Sequence, residues 1–371
     1  MGILDTLLSK TDIDARPIFN GYNCLNKRQR RYTCTICQEL CPEKIFSLDP
    51  KAALDWKKCS NCGLCVSSCP SRCFAPDREL QRLYTTDMDL SAPVSFSCDE
   101  NELLTDKKVE CLASIPWEML AVLALHTELI INVQGCESCE IQKRSECLLK
   151  NLGQLESFFG EEEFARRIHI VTEGEYKQEN DSDKVMSRRK VFSDVKYNVT
   201  KSIVNIASSR IPFLDEVNQD GLQYRQLLSK AVMRDRRERT ERKAAEEKDG
   251  GKSDITFAKY GVSLPAFTDK CYGCGICEKM CPQKALEIGD IQDGQRLIYV
   301  TPWKCTGCGL CEIGCPHGGI SGIRPVELPY LEKLPLVRVK SAVCEKCGFT
   351  IKPDTEPRLC PSCARKQKKQ K

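Results

Sequence analysis

The sequence predicts an α+β chain of several small domains. Two cysteine-rich modules flank a small α/β unit, followed by a charged helical linker and a C-terminal knuckle. Three observations carry this: a four-cysteine pattern that recurs, a strand–helix–strand order between the recurrences, and two C-x2-C pairs near the end. The 371 residues suffice for roughly two to four small domains, and 41% apolar content permits packed cores. The 26 cysteines against 3 histidines set the chemistry. Such cysteines are either disulfides of a secreted chain or metal ligands of an intracellular one. The opening MGILDTLLSKTDIDARP lacks a basic n-region and a long apolar run, and no run of apolar residues is long enough to span a bilayer. A cytoplasmic chain with reduced thiols holding metal is therefore expected, with no membrane span and peripheral association left open.

Residues 271–282 read CYGCGICEKMCP and residues 305–316 read CTGCGLCEIGCP. Each is C-x2-C-x2-C-x3-C-P. Three thiolates two residues apart wrap three corners of an inorganic cubane from one loop, and the fourth points away to a partner cubane. This run holds [4Fe–4S] clusters in bacterial-type ferredoxins, and residues 257–330 resemble such a dicluster module. Crossed ligation predicts one cubane on Cys271, Cys274, Cys277 and Cys315, and another on Cys305, Cys308, Cys311 and Cys281. Gly275 and Gly309 give each loop conformational freedom, and Pro282 and Pro316 fix φ as the chain leaves it. Zinc is the competing metal, but eight cysteines so grouped are far more specific than one C-x2-C.

An earlier copy occupies residues 1–90. CSNCGLCVSSCP at 59–70 repeats the full run, with Gly63 in the matching place. CPEKIFSL at 41–48 parallels CPQKALEI at 281–288, and Trp56 precedes Cys59 as Trp303 precedes Cys305. The chain thus resembles an internally duplicated ferredoxin. One cubane falls to Cys59, Cys62, Cys65 and Cys41. The other has Cys34, Cys37 and Cys69, but Arg31 stands where its first cysteine belongs. Cys24 can loop back over the basic insert KRQRR, since ten residues reach about 33 Å extended. The alternatives are three ligands around an open-iron or [3Fe–4S] core, or an empty or zinc-loaded site. Lys27, Arg28, Arg30 and Arg31 are either neighbours of an anionic cluster or a solvated turn.

Residues 91–175 change character. PVSFSC ends a strand at Cys98, KKVEC ends a second at Cys111, IPWEMLAVLALHTE is helical with Pro116 in its first turn, and LIINV and RIHIV are further strands. This order implies a parallel α/β unit, with cysteines at strand C-terminal ends where such sheets bind ligands. Cys98, Cys111, Cys136 and Cys139 converge there as candidate ligands, with Cys147 in reserve and His126 read as a surface or core residue. "FSC", "VECLA" and "VQGCESC" resemble the delta subunit of methyl-viologen-reducing hydrogenase. That resemblance implies a [2Fe–2S] cluster and electron delivery to a heterodisulfide reductase. It departs where the family has a cysteine pair beside the first strand and "CSG" after the second, so [4Fe–4S], zinc and unligated thiols stay open.

Residues 176–256 read as a charged linker whose segment RQLLSKAVMRDRRERTERKAAEEK forms an exposed helix, a solvated or partner-facing arm. SRRKVF at 187–192 mimics a twin-arginine signal but is internal, and GGKS at 250–253 lacks the upstream glycine of a phosphate loop, where Glu246 stands. Residues 331–371 carry Cys344, Cys347, Cys360 and Cys363, suited to a zinc-ribbon-like site with iron as the alternative, and end in a disordered tail RKQKKQK. Cys73 and Cys147 are left over as buried inert thiols. The formal charge of +4 gives no nucleic-acid inference, because thiolate-bound clusters are anionic. The expected function is a polyferredoxin-type electron relay with four [4Fe–4S] clusters, one further [2Fe–2S] or [4Fe–4S] cluster and a zinc or iron knuckle. Its partners would be redox proteins of an anaerobic hydrogenase, heterodisulfide-reductase-like or dehydrogenase complex. The rival is a redox enzyme with an incompletely ligated cluster. No catalytic dyad or nucleotide fingerprint is present, so a non-catalytic oxidoreductase subunit is the reading preferred.

Overall fold

The computed structural model describes residues 17–29, 33–47, 53–75, 92–98, 105–139, 142–173, 223–248 and 259–368. Arg30, Arg31, the SRRKVF and GGKS segments and most of the linker lie outside them. The chain mixes helix and sheet. Its N-terminal part runs β1 (Ile18–Phe19), α1 (Leu25–Arg28), α2 (Ile36–Leu40), β2 (Phe46–Ser47), β3 (Ala53–Leu54), α3 (Leu64–Ser68) and β4 (Phe74–Ala75). β1 pairs antiparallel with β4, and β2 with β3. Phe19 and Phe46 close on Phe74 with ring centroids 5.0 and 5.5 Å away. Short strands after the Cys-Pro steps thus form a small apolar floor of Ile45, Phe46, Val66 and Phe74 beneath the thiols.

The middle unit runs β5 (Val94–Cys98), β6 (Lys107–Val109), α4 (Trp117–Ala124), β7 (Leu129–Asn132), α5 (Gln142–Phe159), α6 (Glu161–Arg167) and β8 (Ile168–Val171). The four strands form one parallel sheet in the order β6-β5-β7-β8. Every residue of α4 is buried, as expected of a helix apolar all round. Pro116 sits just ahead of its first residue, where a missing N–H costs nothing. His126, just after α4, has its Nδ1 2.7 Å from the Val122 carbonyl, and burial draws its pKa down to about 4.

The long helix α7 (Gln223–Lys248) departs from expectation. It is not a solvated arm: Tyr224, Leu227, Leu228, Ala231 and Val232 are buried in the same core as α4. These positions make an i, i+3, i+4, i+7, i+8 stripe that the surrounding charges obscure. Its charged neighbours Arg225 and Asp235 are also buried, each with partners.

The C-terminal part runs β9 (Tyr260–Phe267), α8 (Ile276–Met280), β10 (Leu286–Gln292), β11 (Gln295–Val300), α9 (Leu310–Ile313), β12 (Ile320–Leu328), β13 (Leu334–Lys340), β14 (Ala342–Val343), β15 (Thr350–Ile351) and α10 (Pro361–Lys368). β9 pairs with β12, and β10-β11-β13 make a three-stranded sheet. β13, which lies beyond the boundary expected at residue 330, pairs with β11 of this sheet. The tail expected to be disordered from Arg365 continues α10 through Lys368. β9 seals this part onto the middle unit. Tyr260 stacks on Phe158 at 5.0 Å, and a Cβ on Gly261 would stand 1.9 Å from the Ser157 carbonyl oxygen, so only glycine fits.

Candidate metal centres

In the C-terminal part each cysteine loop uses paired left-handed residues, Gly273 and Gly275 (φ 69° and 81°) and Gly307 and Gly309 (φ 67° and 76°). These reversals turn the loop around a central space before α8 or α9 begins. Burial first, and then the thiolates of Cys271, Cys274 and Cys315, push Cys277 up to about 12. Burial raises Cys311 as well, with Cys305, Cys308 and Cys281 adding to it. These influences link Cys277 with Cys271, Cys274 and Cys315, and Cys311 with Cys305, Cys308 and Cys281. Cys277 also acts on Cys311, so the sets adjoin. Backbone N–H groups of Ala285 and Gly319 donate to Cys281 Sγ at 3.3 Å and Cys315 Sγ at 3.2 Å. A cavity walled by Cys281, Cys305, Cys308 and Cys311 with Pro265, Leu286 and Ile323 suits a cluster held by thiolates in apolar surroundings.

The N-terminal part repeats this construction. The residues three after Cys41, Cys69 and Cys281 (Lys44, Arg72 and Lys284) all have φ 50°, and Gly318 after Cys315 has φ 63°. Non-glycine residues rarely adopt this conformation, so four matching turns mark a shared backbone design. Asn61 and Gly63 (φ 57° and 70°) reproduce the loop reversals. Burial raises Cys65 strongly, with Cys62 and Cys59 adding to it, and Cys69 and Cys37 of the neighbouring set following.

The remaining set is built differently. Thr35 replaces the glycine and keeps a right-handed φ of −110°. Cys24 enters from the N-terminus of α1 and lines one cavity with Cys34, Cys37 and Cys69. The side chain of Asn26 holds it there: Nδ2 donates to the Cys34 carbonyl and the Cys34 N–H donates to Oδ1, both at 2.7 Å. One amide thus replaces the missing turn of loop. Burial, then Cys69, Cys34 and Cys24, push Cys37 up to about 12.

Sequence reasoning missed Asn26 and misjudged Cys73. Cys73 is not remote from the metal chemistry but lines that same cavity, its sulfur 3.3 Å from Cys69 Sγ. Its thiol holds both Cys24 and Cys69 down to about 6. The only available signal was position, since Cys73 follows Cys69 as Ala285 follows Cys281 and Gly319 follows Cys315.

In the middle unit Cys98 ends β5, Cys111 follows β6, and Cys136 and Cys139 follow β7; burial, then Cys98, Cys111 and Cys139, pushes Cys136 up to about 11. Arg144, paired with Glu110 at 3.4 Å, draws on both Cys111 and Cys62, placing this site beside the Cys59–Cys65 loop. Cys147 does not join it. It is buried on α5, where the Ser68 hydroxyl approaches its sulfur at 3.6 Å.

Cys344, Cys347, Cys360 and Cys363 bring their sulfurs within 4.8 Å of one another, the one such group of metal-ligating side chains among the described residues. Tetrahedral Zn–S bonds of about 2.3 Å need sulfurs about 3.8 Å apart, and Cys347 and Cys360 stand at 3.6 Å. This set fits a single ion.

No described helix is long and apolar enough to cross a membrane. No curated protein and no solved structure matches the chain. Residues 270–319 match the family model of a 4Fe-4S dicluster domain, so the chain carries a ferredoxin-type iron–sulfur electron-transfer domain there.

Proposed function

We propose that the whole chain is an electron relay, a polyferredoxin-type subunit passing single electrons between protein partners of a larger redox complex. The observation that carries this is one backbone turn used four times: the residues three after Cys41, Cys69, Cys281 and Cys315 are all left-handed. Cys24, Cys34, Cys37 and Cys69 would hold one [4Fe–4S] cluster, and Cys41, Cys59, Cys62 and Cys65 a second. Cys271, Cys274, Cys277 and Cys315 would hold a third, and Cys281, Cys305, Cys308 and Cys311 the fourth. Cys98, Cys111, Cys136 and Cys139 would hold a further iron–sulfur cluster, and the C-terminal knuckle a zinc or iron ion. Such clusters supply one-electron redox chemistry, because charge spreads over several metals with little change in geometry. The protein's part is to set burial, hydrogen bonds to sulfur and spacing.

Presence of Cys24 in the first cavity favours a fully ligated relay site over an open, substrate-binding iron. Likeness of the middle unit to hydrogenase delta subunits makes it the suggested docking end for a partner. Anaerobic purification with iron, sulfide and zinc counts tests the reading: about 16 irons in cubanes and about 2 to 4 more in the middle unit are expected. The Cys24→Ser variant should lose the normal EPR spectrum of one cubane and keep the other three. A count of about 8 irons, confined to the C-terminal domain, would overturn it.

A further inference from the structure

The N- and C-terminal thiol cavities meet at one buried contact. Ser71, two residues after Cys69, lines the first cavity, and Gln283, two residues after Cys281, lines the cavity of Cys305, Cys308 and Cys311. Gln283 Nε2 donates directly to the Ser71 carbonyl oxygen, so a single hydrogen bond joins the two cavity walls. Both residues are buried, at 5% and 1% exposure, so water is excluded from the junction. On its outer side, Arg28 Nη2 donates to the Lys279 carbonyl at 3.0 Å.

A buried carboxylate ties the turn after Cys69 to the segment before Cys305. Glu118 Oε1, on α4, accepts from Arg72 Nε at 3.1 Å and from Arg225 Nη1 at 3.1 Å. Arg72 in turn donates through Nη1 to the Ser67 carbonyl at 2.6 Å and the Cys69 carbonyl at 3.3 Å. Arg225 donates through Nε to the Trp303 carbonyl at 2.8 Å, two residues before Cys305. The clamp therefore reaches the Cys69 carbonyl on one side and the segment leading into Cys305 on the other. Buried ionic triads add little net stability, but their geometry fixes register between the elements they join.

The geometry points to the Ser71–Gln283 contact as the crossing point at which electrons pass between the two halves of the chain, with Glu118 as its positioning residue. This rests on the relay reading above. It makes the order of sites linear. The middle thiol set lies beside Cys62 across Arg144. The Cys59–Cys65 loop adjoins the Cys24–Cys69 cavity through Cys65. The Ser71–Gln283 contact leads to the Cys281–Cys311 cavity, and Cys277 leads to the last set. Tunnelling falls steeply with distance and favours bonded paths over gaps, so a hydrogen bond between cavity walls offers a direct route between the halves.

The test uses the full-length holoprotein with Gln283→Leu, which keeps the volume and removes the amide, and with Glu118→Gln. After photoreduction by a deazaflavin donor, freeze-quench EPR follows electron equilibration between the halves, their signals assigned beforehand from Cys24→Ser. Gln283→Leu is expected to slow equilibration at least tenfold with iron and sulfide counts unchanged. Glu118→Gln should slow it too and alter the magnetic interaction between the halves. Equilibration at the wild-type rate in Gln283→Leu would overturn the crossing point. Should Glu118→Gln fail to fold, Gln283→Leu still decides. A wild-type count of about 8 irons would instead overturn the relay reading beneath it, and the count tells the two failures apart.

Discussion

Cys73 places a thiol where the matching turns carry Ile45, Ala285 and Gly319. Each of Cys73, Ala285 and Gly319 donates its backbone N–H to the cysteine four residues before it, but only Cys73 adds a side-chain donor to that sulfur. Hydrogen bonds to cluster sulfurs stabilise the more negative, reduced state. Cys73→Ala should therefore lower the midpoint of the first N-terminal cubane alone, by on the order of 40 mV for a bond worth about 1 kcal/mol. Cys73→Ser should stay near wild type, and EPR-monitored redox titration reads both. Asn26 makes a second prediction. Asn26→Ala frees the segment that carries Cys24, so brief exposure to air should generate a [3Fe–4S] EPR signal faster than in wild type. Neither role was legible in the sequence. A ligand run announces itself by spacing, whereas Asn26 and Cys73 act through contacts that only the folded turn creates.

Among the elements, α7 shows where local reading stops. β5, β7, β8 and α4 were legible because alternation, a continuous apolar run and Pro116 are properties of the segment itself. The burial of α7 depends on what lies opposite, and its charges at Arg225 and Asp235 are tolerable inside only because Glu118, Trp303, Arg167 and Tyr260 meet them. Leu228→Ala should destabilise the chain by about 2–5 kcal/mol, against less than about 1 kcal/mol for half-exposed Met233→Ala. Anaerobic denaturant unfolding measures the difference. The C-terminal knuckle was legible from its two C-x2-C pairs, since four thiols across a short gap leave few other geometries. A strong zinc chelator should remove one metal ion and disorder β14, β15 and α10 without bleaching the cubane absorbance near the rest of the chain. Loss of iron instead of zinc from that site would assign it as rubredoxin-like.

At the scale of the whole molecule, sequence predicted separate modules joined by a linker; in the structure the middle unit, α7 and the C-terminal sheets share one core, with smaller clusters beneath the N-terminal thiols and at the knuckle. Residues of α4, α5, α7, β9 and β11 are buried together. The interface could not be read from any segment alone because Gly261 against Ser157, Glu118 between two arginines and Gln283 on Ser71 each pair distant parts of the chain. That shared core is what a relay needs, since fixed spacing between sites sets transfer rates more than any single side chain does. The most direct measurement is the number of electrons the anaerobic holoprotein takes up and returns in a coulometric titration without any substrate. A relay of this kind should take up about five per chain, one for each cubane and one for the middle cluster, and release them reversibly on reoxidation. Uptake of about two, the capacity of the C-terminal dicluster domain alone, would contradict it.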